Sequence, residues 1–152
     1  VSQVATTTFN AMFFAGLKDV EHQPHTLYID RYPPGREATV AWPNLDLKFQ
    51  NDTRHGVLVQ ADVQKAAPGR QGSITVTMWS TKTYDKVEST TPARTRVTKG
   101  RDLTDDSADC EPQEPATGFD VSYSRLFYRD GEVVKRQRFS WRYAPTDRVR
   151  CV

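Results

Sequence analysis

The sequence predicts an α+β domain with one N-terminal helix packed on antiparallel β-strands. Apolar residues recur with helical spacing only at the start of the chain, and alternating apolar and polar residues dominate several later segments. Turn-forming clusters rich in proline, glycine, asparagine and aspartate separate the alternating segments. Short strands with regular turns after a single helix are typical of an antiparallel α+β architecture.

The helix is expected to begin at Ser2, whose hydroxyl is a favourable N-cap, and to end near Gly16. A helix places residues three, four and seven positions apart on one face, and the apolar residues follow that spacing. The face consists of Ala5, Phe9, Met12 and Phe13.

Three later segments alternate with a period of two and are predicted to be strands. Their apolar positions are Leu45, Leu47 and Phe49, then Val57, Val59, Ala61 and Val63, then Ile74, Val76 and Met78. Residues 100–118 are polar and rich in acidic side chains, so we predict a loop there, anchored by Cys110.

The pattern of residues 119–143 predicts a β-hairpin, and two turn types are compatible with it. A two-residue turn at Asp130 and Gly131 would place Tyr123 opposite Arg138. A three-residue loop that starts at Arg129 and has Gly131 in a bulge collects the aromatic side chains on one face, and we favour it. The bulged loop pairs Phe127 with Val133, Val121 with Phe139, Phe119 with Trp141 and Ser122 with Arg138.

With 152 residues the chain can bury its own core, and we predict one domain over residues 1–152. A division near Lys65 into two parts is the alternative. The 21 basic and 19 acidic residues give a net charge of +2, which identifies no partner and gives no support for nucleic-acid binding. No stretch approaches the roughly 20 apolar residues of a membrane span. We expect no cofactor.

Cys110 and Cys151 are the two cysteines of the chain, and neither lies in a metal-ligand spacing. Both have polar surroundings, where a free structural thiol would be unusual. We therefore predict a Cys110–Cys151 disulfide and an oxidising compartment, with two unpaired surface thiols as the alternative.

Four motifs near the N-terminus are similar to those of a known family. Residues 1–11 read Val-Ser-Gln-Val-Ala-Thr-Thr-Thr-Phe-Asn-Ala, and residues 24–26 read Pro-His-Thr. Residues 32–40 read Tyr-Pro-Pro-Gly-Arg-Glu-Ala-Thr-Val, and residues 46–51 read Asp-Leu-Lys-Phe-Gln-Asn. In this order they resemble the signature of the VanW family, bacterial envelope proteins named from vancomycin-resistance clusters. The position that is often Cys in the family is Ser2 here.

The resemblance covers about the first 65 residues, and residues 66–152 look like the less distinctive β-rich portion of the family. It implies a bacterial, extracytoplasmic setting, in the cell envelope or secreted, and the chain is then expected to be a fragment of a longer envelope protein. The leading functional prediction is a module that binds peptidoglycan or an associated wall polymer without catalysis. A structural domain that binds a protein partner is a further alternative.

The expected ligand surface is a groove between the helix and the strands of residues 25–39. Polar and aromatic side chains there could contact sugar rings or peptide groups. The candidates are Gln3, Thr6, Thr7, Asn10, His25, Tyr28, Arg31, Tyr32, Arg36, Glu37 and Thr39. Trp42 is a further aromatic candidate for the same surface.

A catalytic alternative uses Ser2 as nucleophile, His25 as base, and Glu37 or Asp46 to orient the imidazole. The order nucleophile, histidine, carboxylate resembles papain-like and transglutaminase-like sites, and a helix N-terminus favours developing negative charge. With such a site the protein would be a hydrolase or acyltransferase that acts on wall peptides. This alternative requires Ser2 within hydrogen-bond reach of His25, whereas a binding groove does not.

A metal site at His22 and His25 is disfavoured, because Pro24 between them argues against a helical turn. No other histidine or cysteine is positioned to complete such a site beyond His55, so we expect no metal. His25 is instead expected to form a hydrogen bond with the following strand.

Basic residues cluster in the predicted hairpin and are expected on both of its faces, in contact with solvent. They are Arg125, Arg129, Lys135, Arg136, Arg138 and Arg142. Anionic wall polymers are a possible partner for them.

Overall fold

The chain folds into one helix followed by ten strands, and the computed structural model describes all residues from 1 to 152. Helix α1 spans Ser2–Phe14. The strands are β1 Lys18–Glu21, β2 Lys48–Gln50, β3 Leu58–Gln64, β4 Ser73–Trp79, β5 Lys86–Ser89, β6 Ala93–Thr98, β7 Asp102–Asp105, β8 Gly118–Arg129, β9 Glu132–Tyr143 and β10 Arg148–Cys151. The only helix is too short to cross a lipid bilayer.

The ends of α1 correct one prediction and confirm another. Val1 is the N-cap, no side chain caps the helix, and Ser2 is the first helical residue, so the predicted capping role of Ser2 is wrong. At the other end Gly16 adopts a left-handed φ of 83°. The Gly16 N–H donates to Phe13 and the Leu17 N–H donates to Met12, the two bonds of a glycine-terminated helix.

Strand β8 organises the main sheet. Along one edge it pairs with β9, and along the other it pairs first with β6 and then with β5, always antiparallel. Its alternate residues are buried, and Tyr123 joins the core that α1 forms against this sheet. The fold class is therefore confirmed in its main lines: a single helix with mostly antiparallel strands. The buried members of this core are Ala5, Phe9, Met12, Phe13, Leu17, Ala38 and Tyr123.

The β8–β9 hairpin has the predicted aromatic face, but its turn and its register differ from the prediction. The turn has two residues, Asp130 with φ 53° and Gly131 with φ 80°, and Arg129 pairs with Glu132. The predicted three-residue loop is therefore wrong. The bulge lies farther along, opposite Phe127 and Tyr128, where the register shifts by one residue. The resulting pairs are Phe127 with Lys135, Tyr123 with Phe139, Ser122 with Ser140, Val121 with Trp141 and Phe119 with Tyr143.

Residues 100–118 contain a strand, contrary to the predicted loop. Strand β7 pairs with β10 in parallel, with Asp102 opposite Arg148 and Cys151 opposite Asp105. This pair also departs from the otherwise antiparallel pattern. The Cys110–Cys151 disulfide is present, as predicted, and ties the end of β10 to the segment that follows β7.

The β3–β4 hairpin has the predicted strands but contributes little to the core. All seven residues of β3 are exposed, although apolar and polar residues alternate along it. Only β4 turns a half-buried face towards α1, through residues such as Met78. Period-two alternation therefore identified the strand, but not a buried face.

Arg125 corrects the prediction that the basic residues of the hairpin are all solvated. Its side chain is fully buried on the inner face of β8. The guanidinium donates to the carbonyl oxygens of Met12, Phe13 and Leu17, where α1 ends. Burial lowers the pKa of Arg125 to about 10. A cation here complements the carbonyl end of the helix dipole and joins the helix to the sheet.

We expect loss of the disulfide to destabilise the fold by up to about 4 kcal/mol, because the bridge restricts the unfolded chain. The two cysteines are separated by 41 residues in sequence. Urea unfolding of the chain and of a Cys110→Ser/Cys151→Ser variant would measure the difference. A loss below about 1 kcal/mol would show that the bridge constrains little, as in the low range of engineered disulfides.

Candidate functional site

Ser2, His25 and Glu37 form one continuous hydrogen-bonded array. The Nε2 atom of His25 lies 2.9 Å from Ser2 Oγ, and its Nδ1 atom lies 2.7 Å from Glu37 Oε2. Glu37 is fully buried, and the imidazole of His25 is 14% exposed. A nucleophile, a base and a buried carboxylate are therefore aligned in the order required by the catalytic alternative.

The carboxylate determines how the imidazole uses its two nitrogens. An ionised carboxylate can only accept hydrogen bonds, so Nδ1 of His25 carries the proton that it donates to Glu37. In the neutral ring, Nε2 is then free to accept the proton of Ser2 Oγ. This tautomer follows from the hydrogen-bond partners, and it is the one that a general base needs.

Two further contacts hold His25 in place, and the residue before it is buried. Its ring stacks on Tyr32 with centroids 5.8 Å apart and an angle of 9° between the planes. The indole N–H of Trp141 donates to the backbone carbonyl of His25 at 2.9 Å. Pro24, just before it, is buried. The predicted hydrogen bond of His25 to the segment that follows is made to Glu37, and the stacking and backbone contacts hold the imidazole in place.

The segment that carries Glu37 is attached to α1 by two polar side chains. The Ala38 N–H donates to the hydroxyl of Thr6 at 3.1 Å, and Asn10 Nδ2 donates to the Arg36 carbonyl at 3.0 Å. Thr6 is only 4% exposed. Thr6 and Asn10, which were predicted to contact a ligand, thus hold the segment of Glu37 against the helix that bears Ser2.

Tyr143 completes the array, and the sequence did not indicate it. Its buried hydroxyl donates to Glu37 Oε1 and accepts the Gly35 N–H at 2.7 Å. The Tyr123 hydroxyl donates to the Gly35 carbonyl at 3.0 Å. Both oxygens of the buried Glu37 carboxylate therefore have partners. Tyr143 lies at the end of β9, 106 residues from Glu37, and no local pattern links the two.

Gly35 permits this close approach. It follows Pro34 in a turn closed by the Arg36 N–H and the Pro33 carbonyl, and its φ is 71°. A Cβ atom at this position would lie 3.0 Å from side-chain atoms of Tyr123 and Val121. Glycine is therefore required both for the backbone conformation and for the space.

The N-terminus of α1 adds donors beside Ser2 Oγ. The Ala5 N–H makes the first helical bond, to the Val1 carbonyl. The N–H groups of Ser2, Gln3 and Val4 precede it and have no acceptor within the helix. Together with the positive end of the helix dipole, they favour negative charge on a carbonyl oxygen whose carbon is attacked by Ser2 Oγ.

The other predicted ligand contacts are spread around this array. Gln3 and Arg31 are exposed, and Thr7 is half-buried on α1. The guanidinium of Arg36 lies over the ring of Phe14, at 5.0 Å. The remaining candidates are Tyr28, which packs on Phe119 and Tyr143, and Thr39, whose backbone N–H donates to Gln23. Trp42 is 86% exposed.

The two neighbouring histidines have separate partners. His22 stacks on Phe9 and its Nδ1 atom lies 2.6 Å from Asp19, whereas His25 contacts Ser2 and Glu37. No group of three or more acidic, histidine or cysteine side chains is arranged to hold a metal ion.

The buried tyrosines give an alkaline stability test. Burial raises the pKa of Tyr143 above its ordinary value of 10.0, and the hydrogen bond to Glu37 raises it further; burial also raises the pKa of Tyr123. The unfolded chain loses these protons near pH 10 while the folded chain keeps them. The free energy of unfolding should therefore fall above pH 10, by up to about 1.4 kcal/mol per pH unit for each tyrosine.

Urea unfolding between pH 8 and pH 11.5 measures this dependence. A Tyr143→Phe variant should be less stable at pH 8, because Glu37 loses a buried donor, but should show a shallower decline above pH 10. Equal slopes in the two proteins would contradict this account of Tyr143.

Comparison with known proteins identifies the family. The model of the family described as VanW like protein matches residues 1–79, more than half of the chain. The chain belongs to the VanW family. It is also similar to an uncharacterized protein, YoaR, of Bacillus subtilis (strain 168), with 43% identity over 61 residues. That alignment covers 40% of this chain and 20% of YoaR, so the chain spans a small part of this relative. No solved structure matches.

The VanW match confirms the family predicted from the N-terminal motifs and contains most of the array. Ser2, His25 and Glu37 all lie within residues 1–79. Tyr143 and Trp141 lie outside that range, on β9. The site of this VanW protein is therefore assembled from the matched region and from the C-terminal hairpin.

Proposed function

We propose that this domain catalyses acyl transfer through Ser2, as a hydrolase or acyltransferase acting on cell-wall peptides. The observation that carries the proposal is the Ser2–His25–Glu37 array, with hydrogen-bond distances of 2.9 and 2.7 Å. A module that only binds a polymer needs no serine hydroxyl aligned with an imidazole and a buried carboxylate. This geometry makes the catalytic alternative the better supported one.

The chemistry follows from the roles of the three groups. Ser2 Oγ attacks a carbonyl carbon while His25 Nε2 accepts the hydroxyl proton. The buried Glu37 carboxylate stabilises the resulting imidazolium through Nδ1–H. The free N–H groups at the start of α1 stabilise the negative oxygen of the tetrahedral intermediate. His25 then returns the proton to the leaving group, and water or an amine releases the acyl group from Ser2.

The cell envelope is the proposed setting. VanW membership supports it, because the family is named from vancomycin-resistance clusters of bacteria. The Cys110–Cys151 disulfide also supports an oxidising compartment outside the cytoplasm. Wall peptides supply amide carbonyls in that compartment, and peptidoglycan is therefore the substrate proposed for the domain.

A serine-directed fluorophosphonate tests the nucleophile without knowledge of the substrate. We expect covalent labelling of Ser2, located by peptide mass spectrometry, and no labelling in the Ser2→Ala variant. Ser80 is an exposed serine that follows β4, and a Ser80→Ala variant serves as the matched control. Labelling that persists in Ser2→Ala, or no labelling at all, would contradict an activated Ser2.

Purified peptidoglycan sacculi test the substrate. The protein and its Ser2→Ala variant are incubated with sacculi, the soluble products are analysed by mass spectrometry, and the pellet is assayed for bound protein. New or newly cross-linked muropeptides that require Ser2 are the expected result. Retention in the pellet without new products would favour the non-catalytic binding module instead, and neither signal would favour a protein partner.

A further inference from the structure

The outer side of the β8–β9 hairpin carries a row of cations. Residues paired across an antiparallel ladder share a face, and successive residues alternate between faces. The register therefore separates the basic residues: Arg125 and Lys135 lie on the inner side, whereas Arg136, Arg138 and Arg142 lie together on the outer side. We call this outer surface the basic face; it also includes the hydroxyls of Ser122, Ser124 and Ser140.

The charge of the basic face is only partly neutralised within the chain. Asp120 pairs with both Arg96 and Arg142, so one carboxylate is shared by two guanidinium groups. Arg136 and Arg138 form no ion pair with any carboxylate of the chain. The surface therefore has an excess of positive charge, although the net charge of the whole protein is only +2.

Two shallow depressions meet on this surface. One has a volume of about 570 Å³ and is bordered by Asp120, Ser140 and Arg142, and the other, of about 380 Å³, is bordered by Thr90, Ser124 and Arg136. Ser122 and Arg138 border both. The two depressions thus form one continuous, hydroxyl-rich track along the strands.

We propose that the basic face binds a linear polyol phosphate polymer. Guanidinium groups bind phosphate with two parallel hydrogen bonds, and hydroxyl side chains can bond the hydroxyls of a polyol. Arg136 and Arg138 are two residues apart on one strand, so their Cα atoms are separated by about 6.6 Å. Cations repeated along a strand suit a ligand whose charges are repeated along a chain.

The composition of the face argues against single-stranded nucleic acid. Such ligands are bound through aromatic side chains on which bases stack. Trp141 is unavailable for stacking on this side, because its indole N–H donates to His25 beneath the sheet. Tyr128, at the far end of β8, has the ammonium of Lys86 over its ring at 5.0 Å. Tyr123 and Trp141 also border the depressions, but both belong to the inner face of the hairpin. On the outer face the residues beside the arginines carry hydroxyls, at Ser122, Ser124 and Ser140.

The basic face and the Ser2 array lie on opposite sides of β9. Tyr143 and Trp141 direct their polar atoms to Glu37 and His25, whereas Arg138 and Arg142 alternate with them on the other side. Binding at the basic face therefore requires no chemistry at Ser2. A Ser2→Ala variant should bind the polymer as well as the unaltered protein does.

Isothermal titration calorimetry with poly(glycerol phosphate) tests the proposal. An Arg136→Gln/Arg138→Gln variant should bind at least tenfold more weakly than the unaltered protein at 50 mM NaCl. An Arg54→Gln/Lys65→Gln variant removes the same charge from exposed positions elsewhere and should bind within twofold of it. Thermal unfolding of both variants checks that they remain folded.

Two comparator ligands make the result specific. Poly-L-glutamate of equal charge presents carboxylates, and an oligothymidylate presents phosphates with bases; both should bind more weakly than poly(glycerol phosphate). Equal losses in the two variants would overturn the proposal in favour of non-specific attraction. Absence of poly(glycerol phosphate) binding, or tighter binding of either comparator, would overturn it as well.

Discussion

Replacing His25 with alanine is expected to slow the reaction of Ser2 by about 100- to 10,000-fold, the usual contribution of a general base. The imidazole is the only group within hydrogen-bond distance of Ser2 Oγ. Without it, the hydroxyl keeps its proton and remains a weak nucleophile. The rate of fluorophosphonate labelling measures the loss directly and does not depend on the choice of substrate.

His55→Ala is the matched control, because His55 is exposed and makes no contact with the array. It should label at the rate of the unaltered protein. Glu37→Gln should give an intermediate loss, since the amide cannot stabilise the imidazolium as a carboxylate does. If His25→Ala labelled within tenfold of the unaltered protein, Ser2 would have to be activated by some other group.

Replacing Arg125 with alanine should destabilise the protein by about 3–5 kcal/mol, the range for truncation of a large buried side chain. The variant loses three hydrogen bonds to carbonyls at the end of α1 and leaves a cavity between the helix and the sheet. The guanidinium also lies over the rings of Phe13 and Phe127, at 4.7 and 4.5 Å. Urea unfolding at pH 7 measures the change.

Two further variants show whether the loss of stability comes from the burial of Arg125 and from the geometry of its guanidinium. Arg129→Ala removes an exposed arginine from the same strand and should change the stability by less than about 0.5 kcal/mol. Arg125→Lys keeps a cation but loses the planar fork that reaches several carbonyls, so its loss should be smaller than that of alanine. A loss below about 1 kcal/mol for Arg125→Ala would contradict a joining role for this residue.

The elements with strong local signals were predictable. The helix follows from the spacing of its apolar residues, and its end from Gly16, because a left-handed residue is easily recognised when it is glycine. Ser2 was misjudged because a serine near a helix start usually caps it. Here the helix starts one residue earlier than that role allows, and the hydroxyl bonds His25 instead.

The register of the hairpin and the place of β7 depended on distant contacts. The sequence indicated that the aromatic side chains share a face, but a bulge opposite Phe127 and a three-residue loop both satisfy that condition. Strand β7 is short and largely exposed, and it forms only by pairing with β10, the last strand of the chain. Pairing across such separations leaves no local pattern.

The sequence brought together Ser2, His25 and Glu37 of the candidate site, but not the residues that hold them in place. The N-terminal motifs brought Ser2, His25 and Glu37 forward as one set of candidates. Tyr143 could be read only as an aromatic residue of the hairpin, because its hydroxyl meets Glu37 across 106 residues of sequence. Arg125 is predicted to be a surface cation like its neighbours, since nothing local distinguishes a buried arginine from exposed ones.

The position of Tyr143 also limits how recombination could exchange parts of this sequence. Glu37 and Tyr143 belong to regions on either side of the boundary at residue 79, yet one is the hydrogen-bond partner of the other. A recombination event that joined the first region to a foreign C-terminal half would have to bring a phenol to the same place. Without that phenol, one oxygen of the buried Glu37 carboxylate would have no hydrogen-bond partner. We therefore expect the two regions to be exchanged together.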